Sequence, residues 1–159
     1  MNKNDGIRVN VKHIVEEGLL ITGNLPPSIF DIDESDRLDS PNPLAYDLMA
    51  FLTAHTILIR GTLRTTLRCR CDRCLHYYDH LVENSDVCLF YEEVTDDFLD
   101  LTEDVREDLL LSFPQKFLCV PDCRGLCPEC GQNLNVRKCH CSAPVGAPCA
   151  FDKLEGLDL

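Results

Sequence analysis

The stretch ILIRGTLRTTLRC at 57–69 decides the fold, because apolar and polar side chains alternate along it. Its odd positions carry Ile57, Ile59, Gly61, Leu63, Thr65, Leu67 and Cys69, and its even positions carry Leu58, Arg60, Thr62, Arg64, Thr66 and Arg68. A period of two with β-branched residues predicts a strand that buries one face. Gly61 within this strand predicts a bulge or a bend.

Further elements are predicted on both sides of this strand. Alternating or β-branched residues predict strands at 7–11, 19–22, 76–91 and 98–101. A helix at about 102–113 is predicted because apolar residues then recur on one helical face, with Thr102 as its N-cap and Pro114 at its end. The residues of that face are Leu101, Val105, Leu109, Leu110 and Phe113.

These elements predict an α+β protein of 159 residues, about one domain in length. We expect an antiparallel, strand-rich body at 1–113 with one main amphipathic helix. Residues 24–43 are rich in Pro, Asp and Ser, and they predict a flexible loop within that body. A Cys-rich segment at 114–159 has too few apolar residues to fold alone, so we expect a metal to brace it against the body.

Charge and motifs exclude several classes of function. A net charge of −12 argues against coating nucleic acid by charge alone. No window approaches the ~18 apolar residues that a membrane span needs, and the first residues have no apolar signal stretch. We therefore expect a cytoplasmic protein without a membrane partner. The motifs GxGxxG, GxxxxGK[ST], GxSxG and HExxH are absent, which favours a non-enzymatic protein without a small-molecule substrate.

Eleven cysteines are the most informative feature of the composition. A reducing cytosol disfavours structural disulfides, so the cysteines indicate metal binding or redox chemistry. Eight of them form four close pairs: Cys71 with Cys74, Cys119 with Cys123, Cys127 with Cys130, and Cys139 with Cys141. Structural zinc takes four ligands in a tetrahedron, so these pairs predict two four-thiolate sites.

The pairing of these cysteines is open at the level of sequence. Proximity favours one local site from the last four cysteines and a second that joins Cys71 and Cys74 to Cys119 and Cys123, but an interleaved arrangement fits the spacing too. Iron in a rubredoxin-like site fits as well as zinc. Cys69 and Cys88 fall in predicted strands, where we expect them in the core.

A dithiol redox protein or thiol sensor is the alternative use of the cysteines. It would employ Cys71 with Cys74, or Cys127 with Cys130. A thioredoxin-like site needs its C-x-x-C at a strand-to-helix turn. Neither pair clearly precedes an amphipathic helix, so we favour metal binding.

Charged residues predict two contact surfaces. Arg60, Arg64, Arg68, Arg70 and Arg73 lie close together, and the first four share one strand face. The guanidinium group suits phosphate, so this patch predicts contact with RNA; its alternative is a solvated face that pairs with acids across the sheet. Residues 83–108 contain eleven acids and one arginine, which predicts either a solvated surface or a docking surface for a basic partner such as a ribosomal protein.

Three stretches resemble one known family. They are LRCRCDRCL at 67–75, DLTEDVREDLLLSFP at 100–114, and CVPDCRGLCPECGQNLN at 119–135 followed by CHC at 139–141. Together they are similar to the YceD family, the bacterial and plastid large ribosomal RNA subunit accumulation proteins. The resemblance spans about residues 57–141, and the family's cysteine motif falls on the eight paired cysteines.

This resemblance implies a non-enzymatic factor for the accumulation or processing of 23S ribosomal RNA. The implied partners are ribosomal RNA or the pre-ribosomal large subunit. Two classes of function therefore compete with ribosome biogenesis: a redox protein, and an adaptor that binds proteins through the acidic segment without touching RNA.

Overall fold

The computed structural model describes residues 6–31, 38–39, 42–54 and 56–141. Its strands are β1 (Arg8–Asn10), β2 (Leu19–Leu25), β3 (Leu38–Asp39), β4 (Leu44–Thr53), β5 (Thr56–Arg70), β6 (Tyr77–Glu92) and β7 (Phe98–Asp100). The α-helix of the described residues is α1 (Thr102–Leu111), and short 3-10 turns occupy Val11–His13 and Pro27–Phe30.

Every strand pair is antiparallel, and β5 organises the main sheet. Strand β6 pairs with β5 from end to end, β4 pairs with its first half, and β3 pairs with its last residues. Strand β2 extends the sheet beyond β4, and β1 with β7 forms a separate two-stranded sheet. The prediction of antiparallel sheets with one helix is confirmed for the described residues.

Alternation along β5 divides the sheet into a core face and an outer face, as predicted. Ile59, Leu63 and Leu67 are fully buried, whereas Arg60 and Arg64 are exposed. Thr65 is the polar residue of the buried row, and its hydroxyl donates to the carbonyl of Asn42 at 2.9 Å. The buried row of β5 is therefore apolar apart from Thr65, and the Thr65 hydroxyl has a hydrogen-bond partner.

Helix α1 covers the core beside the sheet and begins at Thr102. Val105 and Leu109 are buried, and Leu101 before them is buried too. The predicted N-cap is wrong by one residue, because Leu101 occupies that position. Thr102 instead begins the helix: its backbone N–H donates to Asp100 Oδ1 at 3.0 Å, and its hydroxyl accepts the N–H of Ile7 at 2.9 Å.

A bulge changes the phase of β6 midway. Its register against β5 shifts between Gly61 and Leu63, so both Val82 and Val87 point into the core although one position is even and the other odd. The shift corrects one expectation, because it places Cys88 on the exposed face and not in the core. Cys69, on the strand without the extra residue, is buried as expected.

Strand β4 is absent from the sequence prediction. Leu44 and Leu48 of this strand are fully buried, but Met49 and Phe51 on its other face are half-buried too. Apolar residues on both faces hide the period of two, and the loop predicted at 24–43 ends immediately before this strand.

The stretch 24–43 is only partly described. Its described residues include the end of β2, the 3-10 turn at Pro27–Phe30 and the two residues of β3, with Phe30 buried in the core. Residues 32–37 and 40–41 lie outside the described residues, as do Cys149 and the rest of 142–159.

Position 61 requires glycine because the backbone of β4 passes too close for a side chain. A Cβ atom at this position would lie 2.1 Å from the backbone oxygen of Asp47, which cannot move without breaking the strand pair. We expect Gly61→Ala to destabilise the protein by about 3 kcal/mol, the upper range for overpacking a close-packed site. Denaturant unfolding measures this loss.

Gly23→Ala is the matched control. Its Cβ would meet the ring end of Tyr46, a side chain that can rotate away, so we expect a clearly smaller loss. Equal losses for the two variants would contradict the assignment of the constraint to the β4 backbone.

Candidate metal centres

The eight paired cysteines converge in two groups of four. Site A comprises Cys71, Cys74, Cys119 and Cys123, and site B comprises Cys127, Cys130, Cys139 and Cys141. Within each group all sulfur atoms lie within 4.8 Å of one another. This is the local pairing favoured by proximity in the sequence, and the interleaved arrangement is not the one adopted.

Sulfur separations in site A match a tetrahedral thiolate centre. The Sγ atoms of Cys71 and Cys123 are 3.8 Å apart, and those of Cys74 and Cys119 are 3.6 Å apart. A zinc ion with bonds of ~2.3 Å to four thiolates holds them about 3.8 Å from each other. A disulfide would need about 2.05 Å. The residues therefore fit a soft, tetrahedral metal ion.

Both C-x-x-C segments fold into the same turn. In site A the N–H of Leu75 donates to the carbonyl of Cys71 at 3.0 Å, and the N–H of Cys71 donates to the carbonyl of His76 at 2.9 Å. In site B, Gly131 and Gln132 form the same two bonds with Cys127, at 2.9 and 2.8 Å. Each turn thus closes on itself and presents two sulfurs on one side.

A left-handed residue follows the second cysteine of each turn. Gly131 has a φ of 70°, which glycine adopts without strain, but the same position in site A is Leu75 with a φ of 59°. The sequence signal for this turn is therefore clear in C-P-E-C-G and hidden in C-D-R-C-L.

Backbone amides select the sulfur that ionises first in each site. Burial alone would raise the pKa of Cys71, but N–H groups of Cys119, Cys74 and Arg73 surround its sulfur and lower its pKa to about 6. The N–H groups of Cys130 and Glu129 lower the pKa of Cys127 to about 7 in the same way. One thiolate per site is thus favoured before any cation arrives.

One further thiol in each site, Cys119 in site A and Cys141 in site B, resists ionisation because of burial and the neighbouring sulfurs. Burial and the neighbouring sulfurs raise the pKa of Cys119 to about 12. Contact with Cys130, followed by burial, raises the pKa of Cys141 to about 12. Four thiolates at this spacing repel one another, and a divalent cation among them would remove that cost.

Site A is enclosed and site B is open. Cys71, Cys74 and Cys123 are buried, with Tyr78, Leu118 and Leu126 packed around them. The same burial raises the pKa of Tyr78 to about 12. In site B, by contrast, Cys130 and Cys141 are exposed and only Cys127 is buried.

Hydrogen bonds fasten the Cys-rich segment to the turn between β5 and β6. The N–H of Asp72 donates to the carbonyl of Phe117 at 2.7 Å, and the N–H of Phe117 donates to the Asp72 carboxylate at 2.9 Å. Arg73 Nη1 donates to the carbonyl of Cys123 at 2.9 Å. No pattern in the sequence indicates these bonds, and they assign Arg73 a structural role within site A.

The other arginines of the predicted patch lie on the outer face of β5, beside acids of β6. Arg64 forms an ion pair with Glu83 at 3.0 Å. Arg68 lies opposite Asp79 and 5.7 Å from the ring centre of Tyr77. Acids of β6 thus balance some of the charge of this face, which agrees with a solvated face paired across the sheet. The arginines nevertheless stay accessible, so contact with RNA remains a prediction.

The acidic segment 83–108 spans most of β6, all of β7 and most of α1. Asp97 pairs with Lys12 at 2.7 Å, and the Tyr91 hydroxyl donates to Asp104. Burial, reinforced by Glu107 and Asp104, raises the pKa of Asp108. Most of the other acids in the segment are exposed, so the segment presents strong negative charge to solvent.

Fold and sites together define a small antiparallel β protein with two four-cysteine centres near its C-terminal end. Residues 84–158 match the family model described as "Large ribosomal RNA subunit accumulation protein YceD". The YceD resemblance is thereby confirmed. The match includes six of the eight paired cysteines and leaves Cys71 and Cys74 outside it.

Individual relatives match different lengths of the chain, and one of them carries the name of this family. An uncharacterized protein of Mycobacterium tuberculosis is 27% identical over 146 residues, covering 74% of this chain and 70% of its own length. An uncharacterized protein of Mycobacterium leprae is 26% identical over 113 residues, or 62% of this chain and 52% of the relative. The chloroplastic large ribosomal RNA subunit accumulation protein YCED homolog 1 of Arabidopsis thaliana is 33% identical over 63 residues, or 40% of this chain and 19% of the relative.

No solved structure gives a significant match to the chain. Among the described residues, no helix has the length and apolar character needed to cross a membrane.

Metal analysis of the purified protein tests both centres. We expect two zinc ions per chain, because each group offers four convergent sulfurs. Replacing Cys71 and Cys123 by Ser should remove one ion and lower the melting temperature, since metal binding there supplies folding energy. Replacing Cys130 and Cys141 should remove the other ion with a smaller effect on melting.

Cys88→Ser is the control for this series, because its thiol is exposed and belongs to neither site. It should retain both ions. A wild-type content below two ions, or unchanged content in the paired variants, would contradict the assignment.

Proposed function

We propose that this protein is a non-enzymatic factor for the accumulation of large-subunit ribosomal RNA, with two structural zinc ions. The observation that carries the proposal is the family match over 84–158, which contains site B and half of site A. The Arabidopsis relative, named for this role, supports it over a shorter stretch. The family is described by the accumulation of an RNA and not by a reaction.

Zinc in this proposal is a cross-link. At site A it would join the turn after β5 to the segment at 119–123, and at site B it would close the last described loop. Bound zinc supplies fixed tetrahedral geometry and folding energy at such sites. With no fifth ligand among the described residues, all four positions belong to the chain, as in structural centres.

The outer face of β5 is the surface we propose for ribosomal RNA. Arg60, Arg64 and Arg68 are exposed there and Arg70 is half-buried, all projecting from one side of the sheet. Arg60 lies between Met49 and Cys88, so its cross-strand neighbours carry no acid. Arg73 is omitted from this surface because its guanidinium is bonded within site A.

The acidic surface is a second candidate contact, for a basic ribosomal protein. It is favoured by the count of acids in 83–108, which far exceeds the ion pairs that the described residues form there. A redox function has less support. Each C-x-x-C lies within a group of four sulfurs, and Cys71 with Cys74 is followed by a strand and not by a helix.

Depletion of the protein in its cells tests the proposed role. We expect the ratio of mature 23S to 16S ribosomal RNA to fall, and the intact gene to restore it. The variant lacking Cys71 and Cys123 should not restore it, whereas Cys88→Ser should. A ratio that stays unchanged on depletion would refute the role in large-subunit biogenesis.

Arginine variants test the RNA surface. Replacing Arg60 and Arg68 by Gln should weaken binding to large-subunit ribosomal RNA and flatten its salt dependence, by a slope of roughly 0.7 to 0.9 for each phosphate that the variant no longer neutralises. Glutamine keeps the strand free of new like-charge contacts with Asp79. Filter binding across a salt series measures both quantities.

Arg8→Gln is the matched control, because Arg8 is also an exposed strand arginine but belongs to the small sheet. It should leave the slope unchanged. Equal binding by the double variant and the control would refute the arginine surface, and retention of a ribosomal protein after RNase treatment would then favour the acidic surface.

A further inference from the structure

The loop between Cys130 and Cys139 of site B reaches across to site A. Its residue Asn135 places Nδ2 3.2 Å from the Sγ atom of Cys123, close enough for the amide to donate to that sulfur. Asn135 thus belongs by sequence to the loop that site B closes and by contact to the surroundings of site A.

Backbone pairing holds this loop against the chain that links the two sites. Cys123 of site A and Cys127 of site B are separated by only three residues. Leu126 in this link forms an antiparallel bridge with Asn133, and the N–H of Leu134 donates to the carbonyl of Gly125 at 2.9 Å. Leu126 also packs against the buried cysteines of site A.

The amide of Asn135 is fixed at both ends. Its Oδ1 accepts the backbone N–H of Arg124 at 2.8 Å, so its amino group is the end that faces the sulfur. Asn133 Oδ1 accepts from both the backbone N–H and Nδ2 of Asn135, at 2.9 and 3.0 Å. The donor is therefore oriented before a thiolate forms at Cys123.

We propose that Asn135 is a positioning residue that couples the two metal centres, because a loop closed by site B carries a hydrogen-bond donor for a sulfur of site A. This inference rests on the proposed metal sites. Donation to a ligand sulfur spreads its negative charge and holds its orientation, as outer-shell partners of metal ligands do. Metal at site B fixes the loop and so favours metal at site A, and by linkage the effect is reciprocal.

The two centres differ in exposure, and this difference predicts the order in which they lose metal. Site A is buried and site B is largely exposed, so metal should leave site B first when a chelator is added. Site A would then lose its oriented donor and bind its own ion less tightly.

Cobalt and zinc binding to the full-length protein test the coupling. Asn135→Ala removes the donor, and Val136→Ala is the matched control because the neighbouring valine is 78% exposed. Each change is made in the intact protein and in a background in which Cys130 and Cys141 are Ser, which removes site B. Chelator competition gives the zinc affinity of site A, and the cobalt–thiolate absorption band reports its ligand field.

We expect Asn135→Ala to weaken zinc at site A about tenfold, the lower end of the range for outer-shell partners, and to shift the cobalt–thiolate band. Val136→Ala should do neither. In the background without site B, Asn135→Ala should have almost no further effect, because the two changes remove the same interaction and are not additive. Circular dichroism and retention of cobalt at site B establish that the single variant is folded.

Three outcomes would overturn the inference, and they are distinguishable. Fewer than two metal ions in the wild-type protein would refute the metal sites and the coupling together. Two ions with equal zinc affinity in Asn135→Ala and Val136→Ala would refute only the role of Asn135. A tenfold loss that persists in the background without site B would show that Asn135 acts on site A independently of site B.

Discussion

Site A is the constraint on which the rest of the molecule depends. Two of its sulfurs come from the turn after β5 and two from a segment that begins 45 residues later along the chain, as the contact between Cys74 and Cys119 shows. From 114 to 141 the segment contains no helix or strand beyond the bridge at Leu126, and few of its side chains are buried. Bonds from sulfur to metal would thus provide what a hydrophobic core provides elsewhere.

The long hairpin of β5 and β6 suits this arrangement. Its closed end, at 71–76, supplies the first pair of sulfurs. Asp72 at this end also forms hydrogen bonds with the backbone of Phe117. Phe117 is buried in the main core, so one residue of the Cys-rich segment joins the body while its neighbour Leu118 packs on site A. The main core and the metal centre therefore meet at this end of the hairpin.

Much of this architecture could be predicted from local pattern, and the failures have physical causes. The alternation of β5 and the spacing of the cysteines are local signals, and both sites formed as proximity favoured. Strand β4 was missed because apolar residues such as Met49 and Phe51 occupy its second face as well. Interactions between distant residues, such as Arg73 with Cys123 or Asn135 with the same cysteine, leave no periodic trace in the sequence.

The bulge in β6 also determines which changes of chain length the fold can accept. On one side of it the inward residues occupy even positions such as Val82, and on the other side odd positions such as Val87. Deleting a single residue at Ser85 or Asp86 would remove the bulge and restore one continuous alternation, in which Val82 and Val87 still face the core and Cys88 still faces outward. The number of residues can therefore change by one at this bulge without turning either half of the strand over, so alignments of relatives should tolerate a single-residue gap here as well as at the connection between β4 and β5.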